Sequence, residues 1–132
     1  MSYPQPLATD NENSLQELAW AIATSQEEFS LILALCNGAS LRRRLVQSLQ
    51  ASSDLKIREI VLDKSIKTFF QTIQNLLGSE HPQALVVSGL ESVSKLEQVL
   101  SDANQVREEF RKNFHFPLVL WVTDDVLHKL MR

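Results

Sequence analysis

The polar residues able to do chemistry in this chain fall at four points, each at the end of an apolar run. Cys36-Asn37-Gly38 follows Phe29–Leu35, and Asp63 follows Leu55–Leu62. Ser88-Gly89, with Glu91, follows Ala84–Val87; Thr123 closes Leu118–Thr123 and precedes Asp124-Asp125. In an open parallel sheet these are the carboxyl ends of the strands, where ligands are held. The stretch Leu31–Leu49 is the most telling, because an apolar strand runs through a short polar turn into a helix. That is the place where an α/β domain usually holds a phosphate. Phosphate chemistry there needs a glycine-rich loop, a lysine for the β- and γ-phosphates and a Ser/Thr for Mg²⁺. The turn Cys36–Ser40 offers Asn37 and one glycine, Gly38, and the helix opens Leu41-Arg42-Arg43-Arg44. The scaffold reads as present and the chemistry as missing.

Other chemistries fare no better at these positions. A dinucleotide fingerprint needs three spaced glycines after the first strand, and only Gly38 is there. A nucleophile elbow needs glycines two residues either side of its serine, whereas Ser88 has Val86 and Leu90. A phosphorelay receiver would carry an acidic pair after the first strand and an acceptor aspartate after the third; Cys36-Asn37 and Ser88 stand there instead. His81, His115 and His128 have no ligand-like spacing and no cysteine partners. Asp63, Glu91, Asp124 and Asp125 could gather around Mg²⁺, but Asp63, Asp124 and Asp125 read first as helix caps. Three consecutive helical residues cover about 200° of circumference, so Arg42-Arg43-Arg44 cannot all face one anion, and the run reads as a solvated face. Cys36 reads as a small buried strand-end residue, and Trp20 and Trp121 as packing residues.

The elements that must position these groups follow from periodicity. Residues 1–13 carry two prolines and no apolar period, and read as a mobile tail. A helix is expected from Ser14, where Ser14-x-x-Glu17 forms a capping box ahead of Leu15, Leu18, Ala19 and Ile22. The first strand, Phe29–Leu35, is nearly all apolar and so covered on both faces. A helix over about Ser40–Gln50 follows, then the second strand, Leu55–Leu62. There Leu55, Ile57 and Val61 share a face opposite Lys56 and Arg58, a mixed pattern that suits a sheet edge. The next helix has the cleanest period, Ile66, Phe69, Phe70, Ile73, Leu76 and Leu77, capped near Asp63 or Ser65 and closed by Gly78. The third strand is Ala84–Val87. A long amphipathic helix over about Val93–Asn113 follows, then the fourth strand, Leu118–Thr123, and a last helix capped by Asp124 or Asp125. Strands alternating with helices at this spacing predict an α/β fold with a parallel sheet of four strands flanked by helices.

Composition sets the outer limits. The chain's 132 residues form one domain, 44% hydrophobic and 22% charged, as a globular protein should be. A net charge of −3 makes nucleic acid an unlikely partner. One cysteine leaves no internal disulfide and fits a reducing cytosol. No apolar run approaches the roughly 18 residues that span a bilayer. The N-terminus lacks the basic and apolar regions of a secretory signal. A cytoplasmic location with no membrane partner is expected.

Together the motifs resemble the first half of a P-loop NTPase core of the STAND class, signalling ATPases attached to repeat arrays, over roughly Leu15–Arg132. The most specific piece is Ala84-Leu85-Val86-Val87-Ser88-Gly89-Leu90-Glu91. It is similar to the family's Walker B strand, with Ser88 at the metal-binding aspartate and Glu91 at the second acid. Leu118–Thr123 resembles the sensor strand whose last polar residue, here Thr123, faces the γ-phosphate. N-terminal regions of cyanobacterial tetratricopeptide-repeat proteins have a similar character. The resemblance implies a P-loop NTPase-like strand order, 2-3-4-1, and a fifth strand, helical lid and arginine-bearing sensor beyond Arg132. The departures are specific. Phosphate-loop spacing counted from Gly38 puts Arg43-Arg44-Leu45 where Gly-Lys-Ser/Thr belongs. Asn37, Gly38, Arg43, Arg44, Ser88, Glu91 and Thr123 are thus the positions of a degenerate nucleotide site. The expected function is a non-catalytic protein-interaction or regulatory domain with no cofactor, partnered by another protein or a following domain. Two alternatives remain open. One is an ATP/Mg binder using Arg43 or Arg44 for the missing lysine and Glu91 or Asp124 for the metal. The other is a flavodoxin-like binding domain that resembles STAND proteins by convergence.

Overall fold

In a computed structural model, described for residues 7–8, 12–52 and 54–130, the apolar runs form one parallel sheet between two helical layers. Its strands are β1 (Leu7–Ala8), β2 (Ser30–Leu35), β3 (Ile57–Val61), β4 (Ala84–Ser88) and β5 (Pro117–Val122). The helices are α1 (Glu12–Thr24), α2 (Ala39–Ser52), α3 (Phe69–Leu77), α4 (Leu96–Gln105), α5 (Arg107–Asn113) and α6 (Asp124–Leu130). The sheet order is β1-β2-β5-β4-β3, and every pairing is parallel. For the four long strands in chain order this is 2-3-4-1 from the β3 edge and 1-4-3-2 from the other. A flavodoxin-like order would set β2 between β3 and β4; instead β2 lies between β1 and β5, which overturns that alternative.

Alternation along each strand sorts the core into two layers. Leu33, Leu85, Val87, Leu118, Leu120 and Val122 pack with Phe69, Ile73, Val99 and Phe110 on the face covered by α3, α4, α5 and α6. Ile32, Ala34, Val86, Val119 and Trp121 pack with Leu18, Ile22, Val46 and Leu49 on the face covered by α1 and α2. Strands β4 and β5 are buried along their whole length, which explains their unbroken apolar runs. Trp121 fits the second layer because its neighbour in register is the small Ala34. Among the described residues, no helix is long and apolar enough to cross a membrane.

Several local expectations are corrected. The segment read as a tail contributes β1, a two-residue strand too short to leave a periodic signal, and α1 begins at Glu12, so Ser14 lies inside the helix rather than capping it. The rest of that tail, residues 1–6 and 9–11, lies outside the described residues. On β3, an edge strand as expected, the buried residue is Ile60, while Val61, at the end of the strand, is 65% exposed. Helix α3 starts after Thr68, so neither Asp63 nor Ser65 caps it; Gly78, at φ +57°, ends it. The long helix expected over 93–113 begins only at Leu96, Val93 being extended, and is two helices broken at Val106, whose φ of −108° and ψ of 23° leave the α region. The break turns α5 so that Phe110 enters the core while Val106 faces outward. Trp20 does not pack beneath α1 but stands 70% exposed.

Candidate functional site

The carboxyl ends of β2, β4 and β5 open on a cleft of about 430 Å³ that includes Asn37, Glu91, Thr123, Asp124, Asp125 and Lys129 in its wall. Its geometry starts with the β2–β5 pairing, which runs one residue past β2 through Cys36 N–H to the Val122 carbonyl, 2.9 Å. That bond places Asn37 against the start of α6. The Asn37 side chain donates from Nδ2 to Asp124 Oδ2 at 2.9 Å, and its Oδ1 accepts from the Asp124 backbone N–H at 2.8 Å. Thr123 Oγ1 accepts from Val126 N–H at 3.2 Å, so Thr123 caps α6, not Asp124 or Asp125. Two first-turn amides of α6, those of Asp124 and Val126, are thereby engaged by side chains of the protein itself. Thr123→Ala should cost about 1 kcal/mol in urea denaturation, the usual value of a helix cap.

Gly38 behaves unlike a phosphate-loop glycine. Its carbonyl accepts from Arg42 N–H at 2.9 Å, which starts α2 at once and leaves only Cys36, Asn37 and Gly38 between strand and helix. A Cβ at Gly38 would meet nothing nearer than Leu41 Cβ at 3.6 Å. The demanding glycine is Gly89, after β4. Its φ is +98°, and a Cβ there would lie 2.9 Å from the Leu62 carbonyl oxygen. Ser88, at the position of the missing acid, is 2% exposed, does not line the cleft, and accepts Leu62 N–H on its carbonyl at 2.8 Å.

The arginine run divides as helical geometry requires. Arg42 Nη1 reaches Glu91 Oε2 at 2.8 Å and ties α2 to the turn Leu90–Ser92. Arg43 and Arg44 are exposed, do not line the cleft and make no ion pair among the described residues. Of the sequence-expected positions, the structure brings Asn37, Glu91 and Thr123 to the cleft wall, with Gly38 in the loop beside Asn37; Arg43, Arg44 and Ser88 stay out of it. Lys129 is passed over in the sequence, and Arg42, with the rest of its run, reads there as a solvated face, which the pairing with Glu91 corrects. Arg42 could have been singled out only by knowing which face of α2 meets Glu91. Asp63 lies outside the cleft, and among the described residues no three His, Cys, Asp or Glu side chains gather as metal ligands. Cys36 is buried, with Sγ 3.6 Å from the Gly38 carbonyl oxygen. His81 and His115 share a separate depression near Gln26 and Glu27.

Glu91 is therefore engaged by Arg42, and Asp124 by Asn37. Asp125 and Lys129 also line the cleft; both are exposed and form no ion pair among the described residues. Comparison with protein-family models, with curated proteins and with solved structures gave no match.

Proposed function

We propose that this is a non-catalytic, P-loop-like domain that works in regulation through protein–protein contacts, made with a partner protein or a following domain in the cytoplasm. The observation that carries this reading is the mutual pairing of the strand-end groups. Asn37 with Asp124 and Arg42 with Glu91 use, for structure, the side chains that a nucleotide site would need for metal and phosphate. The interaction half takes as its candidate contact points the large apolar side chains left in solvent, among them Trp20, Val61 and Leu76, the last 50% exposed. No cofactor enters this reading.

The ATP/Mg alternative draws on one observation, the cleft itself, whose volume falls in the range of about 300–1,000 Å³ usual for ligand sites. It would have to use Lys129 rather than Arg43 or Arg44. Calorimetry with millimolar Mg-ATP and a phosphate-release assay should both match buffer. Saturable binding tighter than about 100 μM, lost in Lys129→Ala, would replace our reading with the alternative. Photo-crosslinking residues placed at positions 20 and 61 should each give discrete protein adducts in cells, and one at exposed position 112 should not. A lack of adducts at all three positions would remove the interaction half.

A further inference from the structure

We propose that the cavity between β2, β5 and the α4–α5 break binds a short aliphatic carboxylate. The cavity holds about 80 Å³, and Phe29, Leu31, Phe69, Leu100 and Phe110 supply much of its apolar wall. Asn104 and Arg107, on either side of the break at Val106, are its polar lining residues. The break that interrupts an otherwise continuous amphipathic pattern is what brings the last turn of one helix and the first of the next to the same opening. Arg107 is exposed and forms no ion pair among the described residues; Nη1 lies 3.5 Å from Asn104 Oδ1, the outer limit of a hydrogen bond.

Three physical points fix the ligand class. An apolar void is dry, and its lining forfeits dispersion contacts that a hydrocarbon would restore. At about 80 Å³ it is roughly half the ~150 Å³ void that admits benzene, so it takes the last few carbons of a narrow alkyl chain rather than a ring, the rest of the chain lying in the opening towards Arg107. A guanidinium at the opening matches a carboxylate, which it can hold by two parallel N–H bonds. The chain would enter between Phe29 and Leu100, and the carboxylate would stay at Arg107.

The test is an NMR titration of the full chain with hexanoate, hexanol and acetyl-leucine, the last as a mimic of a protein C-terminus. Hexanoate should shift the amides of Leu100, Ala103, Arg107 and Phe110 saturably, with a Kd of about 1 mM or tighter, within the range for a ligand of that size. Arg107→Gln, a change at an exposed site, should weaken hexanoate about tenfold and leave hexanol unchanged. Ala103→Leu should weaken both, because it fills the cavity from α4. The proposal is overturned if hexanoate binds no better than hexanol, if Arg107→Gln leaves hexanoate unaffected, or if the shifts do not saturate. It is also overturned if acetyl-leucine binds more tightly than hexanoate, because the occupant would then be a peptide terminus.

Discussion

Phe110→Ala should destabilise the domain by about 3–5 kcal/mol, the cost of removing a large core aromatic when its site cannot collapse. The ring is 6% exposed and sits at the centre of a phenylalanine cluster. Its centroid lies 5.8 Å from those of Phe29, Phe69 and Phe114 and 5.0 Å from that of Phe70, the last pair edge-to-face. These partners come from the residue before β2, from α3 and from the residue after α5, so collapse would need several segments to move together. The apolar cavity beside the ring makes matters worse, since the new void would join it. Phe110→Leu keeps most of the volume and should cost less than the alanine. Urea denaturation of both variants gives the comparison; a loss under about 1 kcal/mol for the alanine would mean that α5 does not pack as described.

Gly89→Ala should be nearly as damaging, at about 2–4 kcal/mol. A φ of +98° is open to glycine and strained for any residue with a Cβ, which alone costs about 1–3 kcal/mol. The added carbon would also lie 2.9 Å from the Leu62 carbonyl oxygen and 3.0 Å from the Leu62 nitrogen. Both are backbone atoms at the end of the β3–β4 pairing, and Leu62 N–H is already bonded to the Ser88 carbonyl. Neither can step aside without loosening that pairing. Gly38→Ala is the internal control. Its Cβ would meet only Leu41 Cβ at ordinary contact distance, so the change should stay within about 0.5 kcal/mol. If the two alanines cost the same, the contrast between the turns is wrong.

The strands and their burial were legible because parallel strands covered on both faces leave unbroken apolar runs, as in Leu118–Val122. The edge position of β3 was legible from its interspersed charges. What escaped were features decided by contacts between distant segments. Asn37 and Asp124 are 87 residues apart, and nothing local in either marks the pair. Arg42 differs from Arg43 and Arg44 only in helical phase relative to Glu91. Thr123, expected to close the strand, caps α6 instead because β5 ends with the apolar run at Val122 and α6 begins at Asp124, which leaves Thr123 at the cap position ahead of both aspartates. Val106 carries the right polarity for an unbroken helix, yet docking Phe110 among four other rings outweighs the loss of one helical residue. Residue type alone suggests that Trp20 packs under α1, but Leu18 and Ile22 already fill the side of α1 that meets the sheet.

The central claim is that the strand-end groups serve one another instead of a nucleotide. Backbone amide NMR during titration with Mg-ATP into the millimolar range tests it most directly, because it reads each turn separately. The account predicts that the amides of Asn37, Gly38, Leu41, Gly89, Glu91 and Asp124 keep their positions throughout. A saturable shift centred on Gly38–Leu41 together with Gly89 or Asp124 would contradict it and show that the cleft still accepts phosphate.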